Sequence, residues 1–124
     1  MTLDDFVKCE TRAAFLECAL WATNDDEGPL DDRFSFEDVS EEALARAARM
    51  VDSFLSFPKV RDAIDFLEVE AGSVGHDLFL SANGHGSGFW DRGYGESGED
   101  LHDAAKSVGS YELYVGDDGL VYVF

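Results

Sequence analysis

GHDLFLSANGHGSGFWDRG, running from Gly75 to Gly93, gathers five glycines, two histidines, two aspartates and the pair Phe89-Trp90 into one short stretch. Asp77 to Ser81 reads as a strand with Leu78 and Leu80 on one face, and Gly88 to Asp91 as its partner. Between them Asn83-Gly84-His85-Gly86 supplies residues that accept positive φ, the requirement of a tight or bulged turn. The stretch is therefore expected to be a β-hairpin.

A second hairpin follows at the end of the chain. Tyr111 to Val115 and Leu120 to Phe124 are rich in β-branched and aromatic residues and flank the turn Gly116-Asp117-Asp118-Gly119. Together the two hairpins predict one antiparallel sheet of about four strands. Three to four helices would cover one face of it, giving an α+β domain.

The helices are read from apolar spacing. Ala14, Phe15, Cys18, Ala19 and Ala22 recur at three and four residues within Glu10 to Thr23, leaving Arg12 and Glu17 in water. Ser40-Glu41-Glu42 opens the clearest helix, a serine cap followed by carboxylates that suit the helix dipole. Its stripe is Leu44, Ala47, Ala48, Val51, Phe54 and Leu55, and Pro58 ends it. A shorter helix over Lys59 to Val69 buries Val60, Ala63, Ile64 and Leu67, with Gly72 as a stop. A last one spans Glu99 to Ser107, started by Ser97 or Gly98, with Leu101, Ala104, Ala105 and Val108 inward and Lys106 in the last turn. Phe34 and Phe36 return to the core at period two, as a short strand or an extended anchor.

Composition bounds the rest. A chain of 124 residues with 45% hydrophobic content can bury one core, so one domain over 1–124 is expected. No run of about 18 apolar residues occurs, and Met1-Thr2-Leu3-Asp4-Asp5 is unlike a secretion signal, which predicts a soluble cytoplasmic protein. Twenty-seven acidic against nine basic residues give a formal net charge of -18. That field repels nucleic acid and anionic membrane and favours basic partners or cations. The same excess, with only three lysines, is also how adaptation to high salt looks. If Cys9 and Cys18 share one helix, they are nine residues and about 13.5 Å apart on opposite faces, too far for a disulfide. Cys18, with no basic neighbour, reads as a packed small hydrophobe.

Several motifs taken together resemble a family of small acidic hypothetical proteins encoded by bacteriophages and mobile elements. They are Cys-Ala-Leu-Trp (Cys18 to Trp21), Gly-Pro-Leu-Asp (Gly28 to Asp31), Gly-His-Asp (Gly75 to Asp77), Asn-Gly-His-Gly with Gly-Phe-Trp-Asp (Asn83 to Asp91), and Tyr-Val-Gly-Asp-Asp-Gly (Tyr114 to Gly119). The resemblance spans about Phe15 to Tyr122 and implies a viral or mobile-element setting without naming a reaction. Where the family reads Phe-Trp-Leu-Thr-Arg before Asn-Gly-His-Gly, this chain has Leu78-Phe79-Leu80-Ser81-Ala82. Ala82 thus replaces a cation beside the turn and weakens any anion-binding role there.

Two groups of residues are candidates for function. His76, Asp77, Asn83, His85 and Asp91 are residue types of a metal site or an acid-base pair, on a glycine-rich turn that lets a ligand approach. Their spacing matches no zinc or nuclease signature, and no serine or cysteine nucleophile accompanies them, so no metal, cofactor or catalytic residue is assigned. In the structural reading His85 bonds across the turn, Asp91 pairs with Arg92 or caps an amide, and Phe89-Trp90 packs on the helices. Gly84 to Gly88 runs into an expected strand, not a helix N-terminus, which disfavours a phosphate loop.

The other group is acidic: Asp25, Asp26, Glu27, Asp31, Asp32, Glu37, Asp38, Glu41 and Glu42 in the first half, Glu96, Glu99, Asp100 and Asp103 in the second. The turn-rich run Asn24 to Asp32 lacks the alternating aspartates and closing glutamate of a calcium loop. The expectation is a surface that binds a host protein with a basic face, as a mimic of nucleic acid, with no direct nucleic-acid or membrane contact. The alternatives are a small metal-dependent or acid-base enzyme built on the His/Asp segment, and a salt-adapted acidic surface without mimicry.

Overall fold

The computed structural model describes residues 3–84 and 88–124. In chain order it comprises α1 (Leu3–Ala22), β1 (Asn24–Asp25), β2 (Gly28–Pro29), α2 (Glu41–Ser56), α3 (Pro58–Leu67), α4 (Ala71–Ala82), α5 (Glu96–Ser107), β3 (Leu113–Val115) and β4 (Val121–Val123). Short 3-10 turns cover Leu30–Asp32, Phe36–Asp38 and Phe89–Arg92. The fold is mostly helical, with α+β character supplied by two separate two-stranded antiparallel sheets among the described residues. The expected four-stranded sheet is not formed.

The stretch 75–93 does not form a β-hairpin. Residues 71–82 are helical, and Gly88 to Asp91 leads into a 3-10 turn where a partner strand was expected. Gly72, expected to stop a helix, lies within the first turn of α4. The stop comes earlier, at Glu68, whose backbone is left-handed with φ 55°. Buried Val74, Gly75, Leu78 and Ser81 follow the three-to-four-residue period of a helix, whereas Leu80 is only half-buried beside fully buried Leu78. Five residues with two leucines could satisfy either period. The neighbour decided: α1 presents Thr11, Ala14, Phe15 and Cys18 as one buried face, and α4 covers it.

Gly75 sets how closely the two helices pack. A Cβ at this position would stand 2.4 Å from the Thr11 carbonyl oxygen, 2.7 Å from Ala14 Cβ and 2.8 Å from the Phe15 nitrogen. Only a bare α-carbon fits there.

Helix α2 begins as expected, with Ser40 Oγ accepting the Ala43 N–H at 3.1 Å. Its inner face is Ala43, Ala47, Met50, Val51, Phe54 and Leu55, rotated from the expected stripe so that Leu44 is exposed and Ala48 half-buried. Phe57, extended ahead of Pro58, breaks the chain between α2 and α3, and Pro58 opens α3. Helix α5 starts three residues before expectation, after Gly95, and buries Gly98, Leu101 and Ala105. The C-terminal hairpin forms as predicted, with Leu113 opposite Val123 and Val115 opposite Val121. Its β4 strand also takes a parallel bridge from Val39, the Ser40 N–H donating to the Val121 carbonyl at 2.8 Å.

One hydrophobic cluster joins these elements, with Phe15, Phe54, Leu78, Phe89, Leu101 and Tyr111 at its centre. Tyr111 ties the hairpin to the helices: its ring meets Phe15 edge-on at 5.1 Å and its hydroxyl donates to the Ala43 carbonyl at 2.7 Å. No helix among the described residues is long and apolar enough to cross a membrane.

Candidate functional site

The His/Asp segment is built into the core. Asp77 sits on the inward side of α4 with no exposure, in the middle of an apolar run. A carboxylate there requires a partner. Arg92 supplies it from the turn after Phe89, donating from Nε to Oδ2 at 3.0 Å and from Nη2 to Oδ1 at 2.7 Å. The pair is bidentate, with the guanidinium half-exposed on the outer side. Arg92, expected beside Asp91, directs its fork at Asp77; the Asp91 side chain lies outside the described residues.

Ser81, one turn further along α4, accepts the Phe89 N–H on its buried hydroxyl at 3.2 Å. The backbone reaches that bond because Gly88 adopts φ 112° and passes so close that a Cβ would lie 2.4 Å from Ser81 Oγ. Phe89 is then fully buried and stacks on Phe54, ring centroids 5.5 Å apart. The expected packing of Phe89 on the helices is thus observed.

Asn83 ends α4 by donating from Nδ2 to the Phe79 carbonyl at 2.8 Å, while its Oδ1 accepts the Tyr111 N–H at 2.9 Å. Both halves of its amide are occupied in joining α4 to the hairpin. His76 lies half-buried on α4. His85 lies outside the described residues, and for Asp91 the 3-10 turn of its backbone is described. Among the described residues no three His, Cys, Asp or Glu side chains stand together as a metal site would need. Cys18 is fully buried, and burial, followed by the charges of Asp77 and Glu17, pushes its thiol up to about 12.

The first acidic group occupies one continuous connection between α1 and α2. Asp26 and Glu27 form the tight turn joining β1 to β2, and Asp25 Oδ1 at the end of β1 accepts the Glu27 N–H at 2.9 Å. That bond, ahead of the Arg33 contact, holds the Asp25 carboxyl below its ordinary value. Asp31 and Asp32 lie on the first 3-10 turn, Glu37 and Asp38 on the second, and Glu41 and Glu42 in the first turn of α2. Asp38 Oδ2 accepts the Ser35 N–H at 2.9 Å, a local bond at the surface. Arg33, the cation of this connection, folds back onto Asp25 and onto Glu27 Oε2 at 2.9 Å, its guanidinium 5.2 Å above the Phe34 ring. Asp26, Asp31, Asp32, Glu37, Glu41 and Glu42 face solvent.

The second acidic group is elsewhere. Glu96, Glu99, Asp100 and Asp103 follow one another on α5, which packs chiefly on α3, α4 and the turn at 89–92. Asp100 lies 4.0 Å from Lys59 Nζ on α3. The second group thus lies on a helix separate in sequence from the connection that carries the first.

Beside the first group is a groove that apolar spacing alone does not reveal. Leu20, Phe34 and Phe36 line an open cleft of about 470 Å³, with Glu17, Asp31 and Glu37 among its lining residues. Phe36, expected in the core, is 41% exposed because the 3-10 turn at 36–38 turns it outward. Glu17 does not stand out as a site residue in sequence because its nearest acidic neighbours along the chain are Glu10 and Asp25; only folding brings it beside residues 31–37. No protein-family model, curated protein or solved structure matches the chain significantly.

Proposed function

We propose that this protein is an acidic binding module that docks on a basic protein surface and competes there with nucleic acid, in the viral or mobile-element setting implied by its sequence motifs. The observation that carries the reading is the connection 25–42. Nine carboxylates occur in it against the single cation Arg33, and Arg33 is paired at the surface with Asp25 and Glu27. What the connection offers outward is almost wholly negative. Asp77, Ser81 and Asn83 of the His/Asp segment are hydrogen-bonded within the fold, which supports a binding role for the surface over chemistry at that segment.

Exposed charge of this kind steers a partner and sets specificity more than it adds affinity. The test is capture of a basic host protein, followed by measurement of its Kd against salt and against duplex DNA as competitor. Replacing Asp26, Asp31 and Asp32 by Asn and Glu37 by Gln removes four exposed pairs at about 0.5 kcal/mol each. The expected loss is roughly thirtyfold in Kd, with a flatter salt dependence. Binding unchanged by this quadruple variant, or by added duplex, would overturn the proposal.

A further inference from the structure

We infer that the cleft between α1 and the connection 30–37 receives an amphipathic, basic polypeptide segment, its apolar stripe on Leu20, Phe34 and Phe36 and its lysines or arginines on Glu17, Asp31 and Glu37. The inference rests on the binding role proposed above and names the partner's chemistry and its seat. Charge complementarity selects the occupant: an apolar floor with carboxylates around it excludes acidic and neutral segments less by shape than by the energy of the charges left unpaired.

The chain itself displays the chemistry once. Arg33 lays its guanidinium over Phe34 while Asp25 and Glu27 hold its nitrogens. An aromatic face flanked by carboxylates is a seat for a cationic side chain. Phe36, 41% exposed and lining the same cleft as Asp31 and Glu37, presents that combination outward. Trp21, 57% exposed, extends the surface, since it lies one helical turn beyond Glu17 on the same side of α1. Aromatic anchors ringed by charge are where binding energy concentrates at interfaces.

The experiment uses the full chain and two synthetic peptides of identical composition. One carries leucines at helical spacing on one face and lysines and arginines on the other; the second is scrambled so that the stripe is lost. Amide and side-chain NMR shifts follow the titration. The striped peptide is expected to shift Leu20, Phe34 and Phe36, and to bind about tenfold more tightly than the scrambled one. Phe36→Ser, at an exposed position, and Glu37→Lys, on the rim, should each weaken it about tenfold.

Equal binding of the two peptides, shifts that map away from the cleft, or no binding of either would overturn the inference. None of these touches the broader reading, which falls if the captured partner ignores the charge-neutralising variant or the added duplex. Failure of the cleft and failure of the acidic surface are thus told apart.

Discussion

Asp77 and Arg92 are fifteen residues apart in sequence and form a bidentate pair whose carboxylate is fully buried. Removing the arginine strands a charge inside α4, a change that in buried pairs costs several kcal/mol. Arg92→Ala is expected to destabilise the fold by about 3 kcal/mol in urea denaturation. Arg92→Lys should recover only part of it, because an ammonium cannot reproduce the two parallel bonds. A loss below about 0.5 kcal/mol would show that Asp77 does not depend on this partner. The cysteines make a second residue-scale case. Cys9 is exposed and Cys18 buried, its thiol pushed up to about 12. Since the thiolate is the reactive form, a disulfide reagent at neutral pH should modify one thiol quickly and the other only after unfolding. Rapid modification of both in the native protein would contradict the burial of Cys18.

At the scale of elements, the contact between α1 and α4 organises the molecule. Thr11, Ala14 and Cys18 keep one side of α1 shallow, and Gly75 lets the α4 backbone settle onto it. Gly75→Ala must displace backbone atoms, so the usual preference of a helix for alanine is reversed. The variant should lose about 3 kcal/mol, the upper end of overpacking, where an exposed helical glycine would gain roughly 1 kcal/mol. Equilibrium unfolding of Gly75→Ala beside Gly72→Ala makes the comparison, because a Cβ at Gly72 would meet nothing within 4 Å. The same contact explains the expected hairpin that is absent. Glycines and an Asn-Gly pair are turn signals, and Asn83-Gly84 does end an element, but that element is a helix. Gly75 and Gly88 are present for close approach, to α1 and to Ser81 respectively.

For the whole molecule, two buried acids link stability to alkaline pH. Burial raises Cys18 from its ordinary 9.0 to about 12, and raises Tyr111 above its ordinary 10.0. Unfolded chains lose these protons first, so the stabilisation is complete below pH 9 and declines as pH rises from there. Each group should take about 1.4 kcal/mol per pH unit between its unfolded and folded values. Denaturation midpoints between pH 8 and 11 check this, and Cys18→Ala should flatten the earlier part of the fall. A stability that is level to pH 11 would contradict it. Legibility divides along a physical line. Signals confined to a few neighbouring residues were sufficient alone: the Ser40 cap, the break at Pro58, the cationic end of α5, the turn at 116–119 and the acidity of residues 25–42. Residues 77–81 were too short to separate a period of two from one of three and a half, and the face of α1 awaiting a partner decided between them. Tertiary packing likewise brought Arg92 to Asp77 and set Glu17 beside Asp31 and Glu37. Local chemistry specifies what a segment can be; which surface it must cover, and hence where a cleft is left open, is settled only when distant segments meet and bury each other.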